Sequence, residues 1–446
     1  MTSVEVAELV DRIWARDPTV WTGGDEASWL GWLDEPGRML ERLRELRGLG
    51  RGEHENVVLL GMGGSSLAPE VLRRTFGRDD FHVLDTTHPT AIRRLEDEID
   101  VKGALFVAAS KSGTTLETRC QLDYFLERGG AFAAITDPGS ELEQLARARD
   151  FAWVVAGEPT IGGRYSALSP FGMVPALLMD LDVPTILERA VAMAEWCRLG
   201  EDNPGAELGL QLGRGWAEGR DKVCFADTPG GMGLWIEQLL AESTGKDGKG
   251  LVPAPAESPD GADRQAARVR LDDPYDIGAE FFRWEFATAV AGSILGINPF
   301  EQPDVQAAKD RTAAILERGD PDLEPVGSVD GLVAEARPGD YFAVLAFVDP
   351  ERARELEPLV ERIRATTGCV VTFGLGPRYL HSTGQLHKGG PNTVLTLQVV
   401  DDLGDELKIP GRKFGFKRLI AAQAAGDLEA LQERGRRVAR VRLENL

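Results

Sequence analysis

The sequence predicts an α/β protein with two doubly wound units, each built on a parallel sheet. Short apolar runs recur along the chain, and a helical pattern with a brief connector follows most of them. Runs such as VVLLGM at 57–62 are apolar throughout, as is typical of strands buried on both faces of a parallel sheet. The composition fits an ordinary globular core, because 43% of the 446 residues are apolar and 27% are charged.

The first half of the chain contains the first of these units. Residues 1–50 predict a helical N-terminal segment in which several tryptophans can pack on a larger body. Residues 51–200 predict the first α/β subdomain. Its strands are expected at 57–62, 81–85, 104–110, 131–137 and 151–155, with helices between them.

The second half repeats the alternation. A helical stretch over 168–219 leads into a second α/β subdomain, residues 201–405. The segment 252–275 is rich in proline and charge, which predicts a loop insertion. Residues 406–446 predict a helical C-terminal arm. The strands of the second subdomain are expected at 222–227, 341–348, 369–375 and 393–400, and its helices at 231–243 and 350–366.

Charge and cysteine content exclude several classes of function. The chain carries 50 Lys plus Arg against 72 Asp plus Glu, a net charge of −22, which opposes binding to nucleic acid or to an anionic membrane surface. Its four cysteines form no CxxC pair, so we expect no metal site. The N-terminus lacks the apolar run of a signal peptide, and the uncharged runs are too short for a bilayer. We therefore expect a cytoplasmic protein.

A glycine-rich turn follows the first predicted strand at Gly61–Ser66 and opens a helix. Glycines let backbone approach a ligand closely, and the free amides at a helix N-terminus suit a phosphate. Two alternatives stay open, a tight turn without a ligand and a dinucleotide-binding turn. The position of Asp85 supports the dinucleotide turn, whereas Ser66 replaces its third glycine.

A second turn, Ser110–Thr118, follows another predicted strand and carries four hydroxyls and a lysine before its helix begins. Thr114 and Glu117 alone would form an ordinary capping box. A cap needs one hydroxyl, however, and the surplus suits a phosphate monoester with its three acceptor oxygens. Because the carboxyl ends of parallel strands share one edge of the sheet, we expect both turns to meet at one crevice.

Three further segments carry candidate side chains. Arg164 lies in a glycine turn, where an arginine contacts either a ligand or solvent. Glu242 shares a helical arc with apolar residues and has Gln238 beside it. A carboxylate buried there suits a general base, although a glutamate near a helix end can also turn to solvent. His381 and His387 are six residues apart, a poor spacing for a zinc site, so a structural role is the alternative.

Together these segments resemble, in order, the motifs of the glucose-6-phosphate isomerase family. The resemblance covers nearly the whole chain and implies two sugar isomerase (SIS) subdomains. The last segment is similar to the isomerase half of bacterial bifunctional transaldolase/glucose-6-phosphate isomerases. The motifs are GMGGSSLAP (61–69), SKSGTTLET (110–118), GGRYSALSPFG (162–172), EQLLAESTGK (237–246) and YLHSTGQLHKGGPN (379–392).

The resemblance also implies roles for individual residues. Glu242 would move a proton between C2 and C1 of the sugar through a cis-enediol(ate). His381 would assist ring opening, from a partner subunit in the dimeric members, and Arg164 would stabilise the enediolate. The phosphate would be held by Ser110, Ser112 and Thr115 with the Lys111 backbone and Ser65 nearby, and the sugar would be lined by Gly64, Gly163, Arg164 and Gln238.

The same resemblance implies a small-molecule sugar phosphate as substrate, with no cofactor and no metal. It also implies a homodimer and a functional link to a transaldolase. The family's C-terminal helix usually carries a lysine near the ring oxygen, where this chain has Ile420, and Lys417 lies one turn earlier. Three alternatives therefore stay open: a non-catalytic sugar-phosphate-binding protein, an isomerase for a different sugar phosphate, and a dinucleotide-dependent oxidoreductase built on 57–85.

Overall fold

The N-terminal segment packs two helices and several short turns against the rest of the chain. The computed structural model describes residues 2–46, 48–226, 228, 230–301, 303–319 and 321–446, with the backbone alone over 303–310. Trp14 stacks on Phe282 and Trp32 stacks on Tyr165, so the tryptophans join the main core as expected. The two helices are α1 Ser3–Trp14 and α2 Glu35–Leu46.

The first sheet has five parallel strands in the order β2-β1-β3-β4-β5, with helices on both faces. Along β1 and β3, alternate residues enter two different cores, so both faces of the sheet are buried. Its elements are β1 Val57–Gly61, α3 Leu67–Phe76, β2 Phe81–Leu84, α4 Pro89–Glu98, β3 Leu105–Ala109, α5 Leu116–Leu126, β4 Ala131–Thr136, α6 Glu141–Ala148 and β5 Trp153–Ala156.

A helical layer joins the two halves of the molecule. Gly209 of the third helix in this layer packs closely on the long apolar helix that follows, because a Cβ there would lie 2.5 Å from the Ala287 carbonyl oxygen. That long helix was not predicted, since it is buried on nearly every side and shows no amphipathic stripe. The elements in this part of the chain are α7 Pro170–Leu178, α8 Val183–Trp196, α9 Pro204–Ala217, β6 Lys222–Phe225, α10 Gly233–Thr244, β7 Val252–Pro255, β8 Arg264–Ala266, α11 Ile277–Leu295, α12 Pro303–Arg318 and α13 Val329–Ala334.

The predicted loop insertion at 252–275 is wrong in part, because it contains two strands. These strands, β7 and β8, pair in parallel with β6 on either side. Pro253 and Pro255 lack an N–H group, yet they fit an outer strand that needs donors on one edge only. Proline content therefore hid a short edge strand.

The second large sheet has four parallel strands in the order β10-β9-β11-β12. Successive residues of β9 again alternate between two cores. The predicted helical arm is correct for 416–433 and wrong for 437–442, where arginine-rich β12 pairs with β11. The α/β class with parallel sheets is confirmed. The remaining elements are β9 Tyr341–Phe347, α14 Glu357–Thr367, β10 Val370–Leu375, α15 Gly384–Gly389, β11 Val394–Val400, α16 Phe416–Glu433 and β12 Arg437–Arg442.

Arg440 of β12 shows how an arginine side chain can be buried in the interior of the protein. Its guanidinium donates to Gln398 Oε1 at 2.6 Å and to the carbonyl oxygens of Asp322 and Ala424 at 2.9 and 3.0 Å. These bonds satisfy a charge that would otherwise oppose burial.

Among the described helices, none is both long enough and apolar enough to cross a membrane.

Candidate active site

A cleft of about 410 Å³ opens at the carboxyl ends of β1, β3 and β4. This edge of a parallel sheet is where α/β proteins bind ligands. A larger hollow of about 690 Å³ lies in the second half of the chain, where β8, β9 and β10 begin, and none of the predicted site residues lines it. Of the predicted residues, the cleft is lined by Gly64, Ser65, Lys111, Ser112, Thr115, Gly163, Gln238, Glu242 and His381.

Two glycines allow three segments of the chain to meet at the floor of the cleft. A Cβ on Gly64 would lie 2.1 Å from the Gly163 carbonyl oxygen, and one on Gly63 would lie 2.4 Å from the His381 carbonyl oxygen. Gly63 also has a φ of 55°, which a side chain would strain. The turn at 61–66 therefore needs glycine for contact with protein backbone, in addition to any approach of a ligand.

The hydroxyl-rich turn divides into a supporting layer and a lining layer. Ser110 is buried, lies 2.9 Å from Thr115 Oγ1 through its own Oγ, and accepts from the Gly113 amide at 3.2 Å. It shapes the turn and does not line the cleft, contrary to the direct phosphate contact that we expected. Ser112 and Thr115 do line the cleft. The surface offered to a ligand is thus made of neutral hydroxyl donors.

The ammonium group of Lys111 is bound by other groups of the protein and is not free to bind an anion. It pairs with Asp137 and donates to the carbonyl oxygens of Glu158 and Pro159, each at 3.2 Å. Burial raises the pKa of Asp137, while the hydrogen bond and charge of Lys111 oppose that rise. Because the lysine charge is already compensated, an anion in this cleft would rely mainly on hydroxyl and backbone donors.

Glu242 lies on the last turn of α10 and faces the cleft. Its Oε1 lies 3.3 Å from Arg164 Nη1, and its Oε2 accepts from Gln238 Nε2 at 3.0 Å. Gln238 donates from the same nitrogen to the His381 carbonyl oxygen at 2.9 Å. The glutamate does not turn to solvent, and its burial is offset by a cation and an amide donor.

Arg164 is almost fully buried behind Glu242. Its guanidinium donates to Ser243 Oγ at 2.8 Å and to the carbonyl oxygens of Pro299 and Glu301 at 2.7 and 3.0 Å. These contacts exclude a solvated surface arginine. They also differ from the expected direct contact with the sugar, because the described cleft surface is formed by Glu242 in front of it.

His381 faces the same cleft and is oriented by a carboxylate. Its Nε2 lies 2.8 Å from Glu117 Oε1, which also accepts from Gln423 Nε2 at 2.6 Å. Gln423 in turn accepts from Thr87 Oγ1 at 2.8 Å. The histidine comes from the same chain as Glu242, whereas the resemblance led us to expect it from a partner subunit.

His387 has a different environment from His381. Burial lowers its pKa to about 3, and its Nδ1 lies 3.1 Å from Tyr341 Oη. It is therefore a neutral structural side chain at physiological pH, as one of the two sequence hypotheses held.

The C-terminal helix brings no lysine to the cleft. Lys417, the single lysine of α16, donates to the Gly404 carbonyl oxygen at 2.6 Å and lines a separate hollow with Asp402 and Arg442. Ile420 is buried in the core beneath the second sheet. The contribution of α16 to the site is Gln423, which reaches it through Glu117.

Several lining residues were missed by sequence reasoning. Trp29, Met62, Asp137, Pro159 and Phe300 all border the cleft. The sequence analysis considered Glu117 only as part of an alternative capping box, and its contact with His381 joins residues 264 positions apart. No local motif marks such contacts, because they exist only once the two halves of the chain have packed together.

The cleft combines the hydroxyl groups of one turn with a carboxylate and an imidazole that face the same volume. This set can hold a phosphorylated substrate and move protons on it, which defines the class of sugar-phosphate isomerases. Residues 38–199 match the family model described as phosphoglucose isomerase. This match covers the first α/β unit and the end of the N-terminal segment.

Individual proteins are also similar to the chain. Over 362 residues the chain is 26% identical to "Glucose-6-phosphate isomerase" of Rubrobacter xylanophilus, covering 58% of this chain and 82% of the relative. Over 177 residues it is 35% identical to the protein of the same name from Thermus thermophilus, covering 37% and 42%. A solved glucose-6-phosphate isomerase from Chlamydia trachomatis shares the fold, with a TM-score of 0.56, 18% identity and coverage of 71% of this chain and 84% of that one.

Proposed function

We propose that this chain interconverts glucose 6-phosphate and fructose 6-phosphate. The observation that carries the proposal is the position of Glu242 and His381 on one cleft with the hydroxyl-rich turn. The names of the relatives supply glucose 6-phosphate, and the resemblance to the family supplies fructose 6-phosphate as the other substrate.

The phosphate would be held by Ser65, Ser112 and Thr115 together with backbone amides of the two turns. This would leave the open sugar chain between Glu242 and His381. His381 would pass a proton to the ring oxygen as the bond between C1 and that oxygen breaks, and the C1 hydroxyl would lose its proton to solvent. Glu117 would hold the imidazole in the required orientation. Ring opening would then depend on this His–Glu pair and not on a lysine of the C-terminal helix.

Glu242 would then take the proton from C2 of glucose 6-phosphate and return it to C1, while the C2 hydroxyl loses its proton and the C1 oxygen gains one by exchange with solvent. Before the transfer, Arg164 and Glu242 form an ion pair at 3.3 Å. After the transfer Glu242 is neutral, and the positive charge of Arg164 is left to attract the negative charge that appears on the enediolate. The charge moves only a short distance within one fixed site, which is the arrangement that lowers a barrier electrostatically.

Direct assay of both substrates tests the proposal. Fructose 6-phosphate is given to the purified protein, and glucose 6-phosphate is followed with a coupled dehydrogenase. The reverse reaction is followed by NMR. We expect both directions to reach the same product ratio. Binding of these sugar phosphates without turnover would indicate a non-catalytic binding protein, and turnover of a different ketose phosphate alone would indicate another isomerase.

The assembly of the chain is a separate proposal. The resemblance favours a homodimer and a functional link to a transaldolase. Because His381 reaches the cleft of its own chain, we expect a monomer to retain the site if the two subunits are separated. Light scattering combined with the isomerase assay across a dilution series measures this, and loss of activity at the dilution where the dimer dissociates would contradict it.

A further inference from the structure

Trp29 is a half-buried tryptophan that borders the cleft and lies outside the five sequence motifs. It lies in the N-terminal segment next to Leu30, which forms a bridge with Ile161. The Gly31 amide donates to the Thr160 carbonyl oxygen at 3.2 Å, which fixes the same segment against the turn that carries Gly163 and Arg164. The N-terminal segment therefore forms one side of the cleft.

The polar edge of Trp29 is fully engaged, so its apolar ring is the part that remains for a ligand. Its Nε1 donates to Asp25 Oδ2 at 2.9 Å, and the other oxygen of Asp25 accepts from Asn298 Nδ2 at 2.9 Å. Asn298 also accepts from the Phe300 amide at 3.0 Å through its Oδ1. Asp25 thus links Trp29 to the segment that presents Phe300, the second aromatic residue of the cleft.

Phe300 supports this side of the cleft from below. It packs edge-on against Trp21, with ring centroids 5.1 Å apart, and against Tyr165 at 5.2 Å. It is almost completely buried, whereas Trp29 is not. An ordered, partly accessible indole backed by a packed aromatic cluster has little conformational entropy to lose when a ligand covers it.

We propose that Trp29 is a substrate-binding residue whose indole face packs on the carbon skeleton of the sugar phosphate, with Asp25 as its positioning residue. The inference rests on the proposed function. Other lining residues supply polar groups for the hydroxyls and the phosphate, and an apolar surface suits the C–H face of the same sugar. Trp29 would thereby favour substrates of hexose length over shorter sugar phosphates that do not reach it.

Steady-state kinetics of Trp29→Leu and Trp29→Phe test this role, with Trp196→Phe as the matched control. Trp196 is 59% exposed at the end of α8 and does not line the cleft. We expect KM for fructose 6-phosphate to rise roughly tenfold in Trp29→Leu, as loss of a large apolar contact implies, and less in Trp29→Phe, with kcat within about twofold of wild type. Trp196→Phe should leave both constants unchanged.

Intrinsic fluorescence supplies a readout that a merely structural role would not move. Titration with the non-isomerisable analogue sorbitol 6-phosphate should change the tryptophan emission of wild type and Trp196→Phe. The change should be lost in Trp29→Phe, although calorimetry still detects binding. Asp25→Ala should raise KM in the same way as Trp29→Leu, and Asp25→Asn should restore part of the loss.

The outcomes separate this inference from the proposed function. If the wild-type enzyme is active and a folded Trp29→Leu variant has an unchanged KM, the proposed role of Trp29 is wrong and the proposed function still stands. An emission change that persists in Trp29→Phe would lead to the same conclusion. A wild-type protein that neither binds nor converts sugar phosphates would contradict both the proposed function and the proposed role of Trp29.

Discussion

At the scale of single residues, the chemistry of the cleft depends on how one carboxylate is held. Glu242 has a cation on one oxygen and an amide donor on the other. A carboxylate held at both oxygens keeps a single orientation, which a group that removes a proton from one carbon and returns it to the next requires. Arg164 and Gln238 therefore position Glu242, whatever direct contact they make with a substrate.

Replacement of Glu242 by glutamine should separate binding from turnover. The amide keeps the shape and removes the base, so we expect kcat to fall by about 10²- to 10⁴-fold, the usual contribution of general base catalysis. Sugar-phosphate affinity should stay within about threefold, measured by calorimetry. Glu237→Gln, on the same helix but outside the cleft, is the matched control and should keep wild-type kinetics. Undiminished turnover in Glu242→Gln would remove this residue from the mechanism.

His381 and Glu117 should act as one unit, because Glu117 contacts the imidazole at 2.8 Å. We expect His381→Asn to lower kcat by about 10²-fold and Glu117→Gln to lower it less, since the amide still fills the space. The double variant should be no slower than His381→Asn by more than about threefold. Effects that simply multiply in the double variant would show that the two residues act independently. Thermal melting of all three variants controls for loss of fold.

At the scale of elements, the segment 298–301 is held by two buried cations. Lys246 donates to the Asn298 carbonyl oxygen at 2.7 Å, and Arg164 donates to the Pro299 carbonyl oxygen at 2.7 Å. Burial and the nearby charge of Arg164 lower the pKa of Lys246 to about 7. The segment 298–301, which presents Phe300, is therefore held in part by a lysine that loses its charge near neutral pH.

This lowered pKa gives the stability of the protein a defined pH dependence. Between about pH 7 and the ordinary lysine value of 10.5, the unfolded chain binds a proton at Lys246 that the folded protein has released. The cost of burying the charge is complete below pH 7 and is relieved as the pH rises through this window. The free energy of unfolding of wild type should therefore increase relative to Lys246→Met, by on the order of 2 kcal/mol between pH 7 and pH 9.

Denaturant unfolding at several pH values measures this difference. Lys249→Met is the matched control, because Lys249 lies three residues away and donates to the Leu295 carbonyl oxygen at 2.7 Å without being fully buried. It supplies the background effect of replacing a nearby lysine by methionine. A difference for Lys246→Met that follows this background at every pH would show that Lys246 keeps its charge in the folded protein.

A second prediction at this scale concerns the close contact between the turns that carry Gly64 and Gly163. Gly64→Ala places a methyl group 2.1 Å from the Gly163 carbonyl oxygen, so we expect a loss of stability of several kcal/mol together with loss of activity. Gly37→Ala in α2 meets nothing within 4 Å and should stabilise the protein by about 0.5–1 kcal/mol. Chemical denaturation compares the two, and equal effects would contradict the close contact.

At the scale of the whole molecule, the strands of the first sheet follow directly from the sequence. Their residues are buried on both faces, so each strand is an apolar run that stands out from its neighbours. Strands β7 and β12 escaped prediction because prolines and arginines occupy them. Tertiary contacts make those residues acceptable, through an outer strand position for Pro253 and through Gln398 for Arg440.

The candidate site likewise contains residues that local sequence patterns identify and residues that only tertiary packing brings to the cleft. Gly64, Ser112, Thr115 and Glu242 belong to turns and helix ends that follow strands, and local patterns identify them. Other contributors come from distant parts of the chain: Trp29 from the N-terminal segment, Asp137 from the end of β4, Phe300 from the segment after α11 and Gln423 from α16. No single segment contains the information that places them, since only the packing of all segments does.

Isomerisation in deuterated water tests the central claim most directly. Fructose 6-phosphate is given to the wild-type protein in D₂O, and the products are followed by NMR. The account predicts that glucose 6-phosphate forms and that part of it carries deuterium at C2, because the proton on Glu242 exchanges with solvent before it is returned. Glucose 6-phosphate without any deuterium would indicate direct hydride transfer and contradict the role of Glu242, and no glucose 6-phosphate at all would contradict the assignment as a glucose-6-phosphate isomerase.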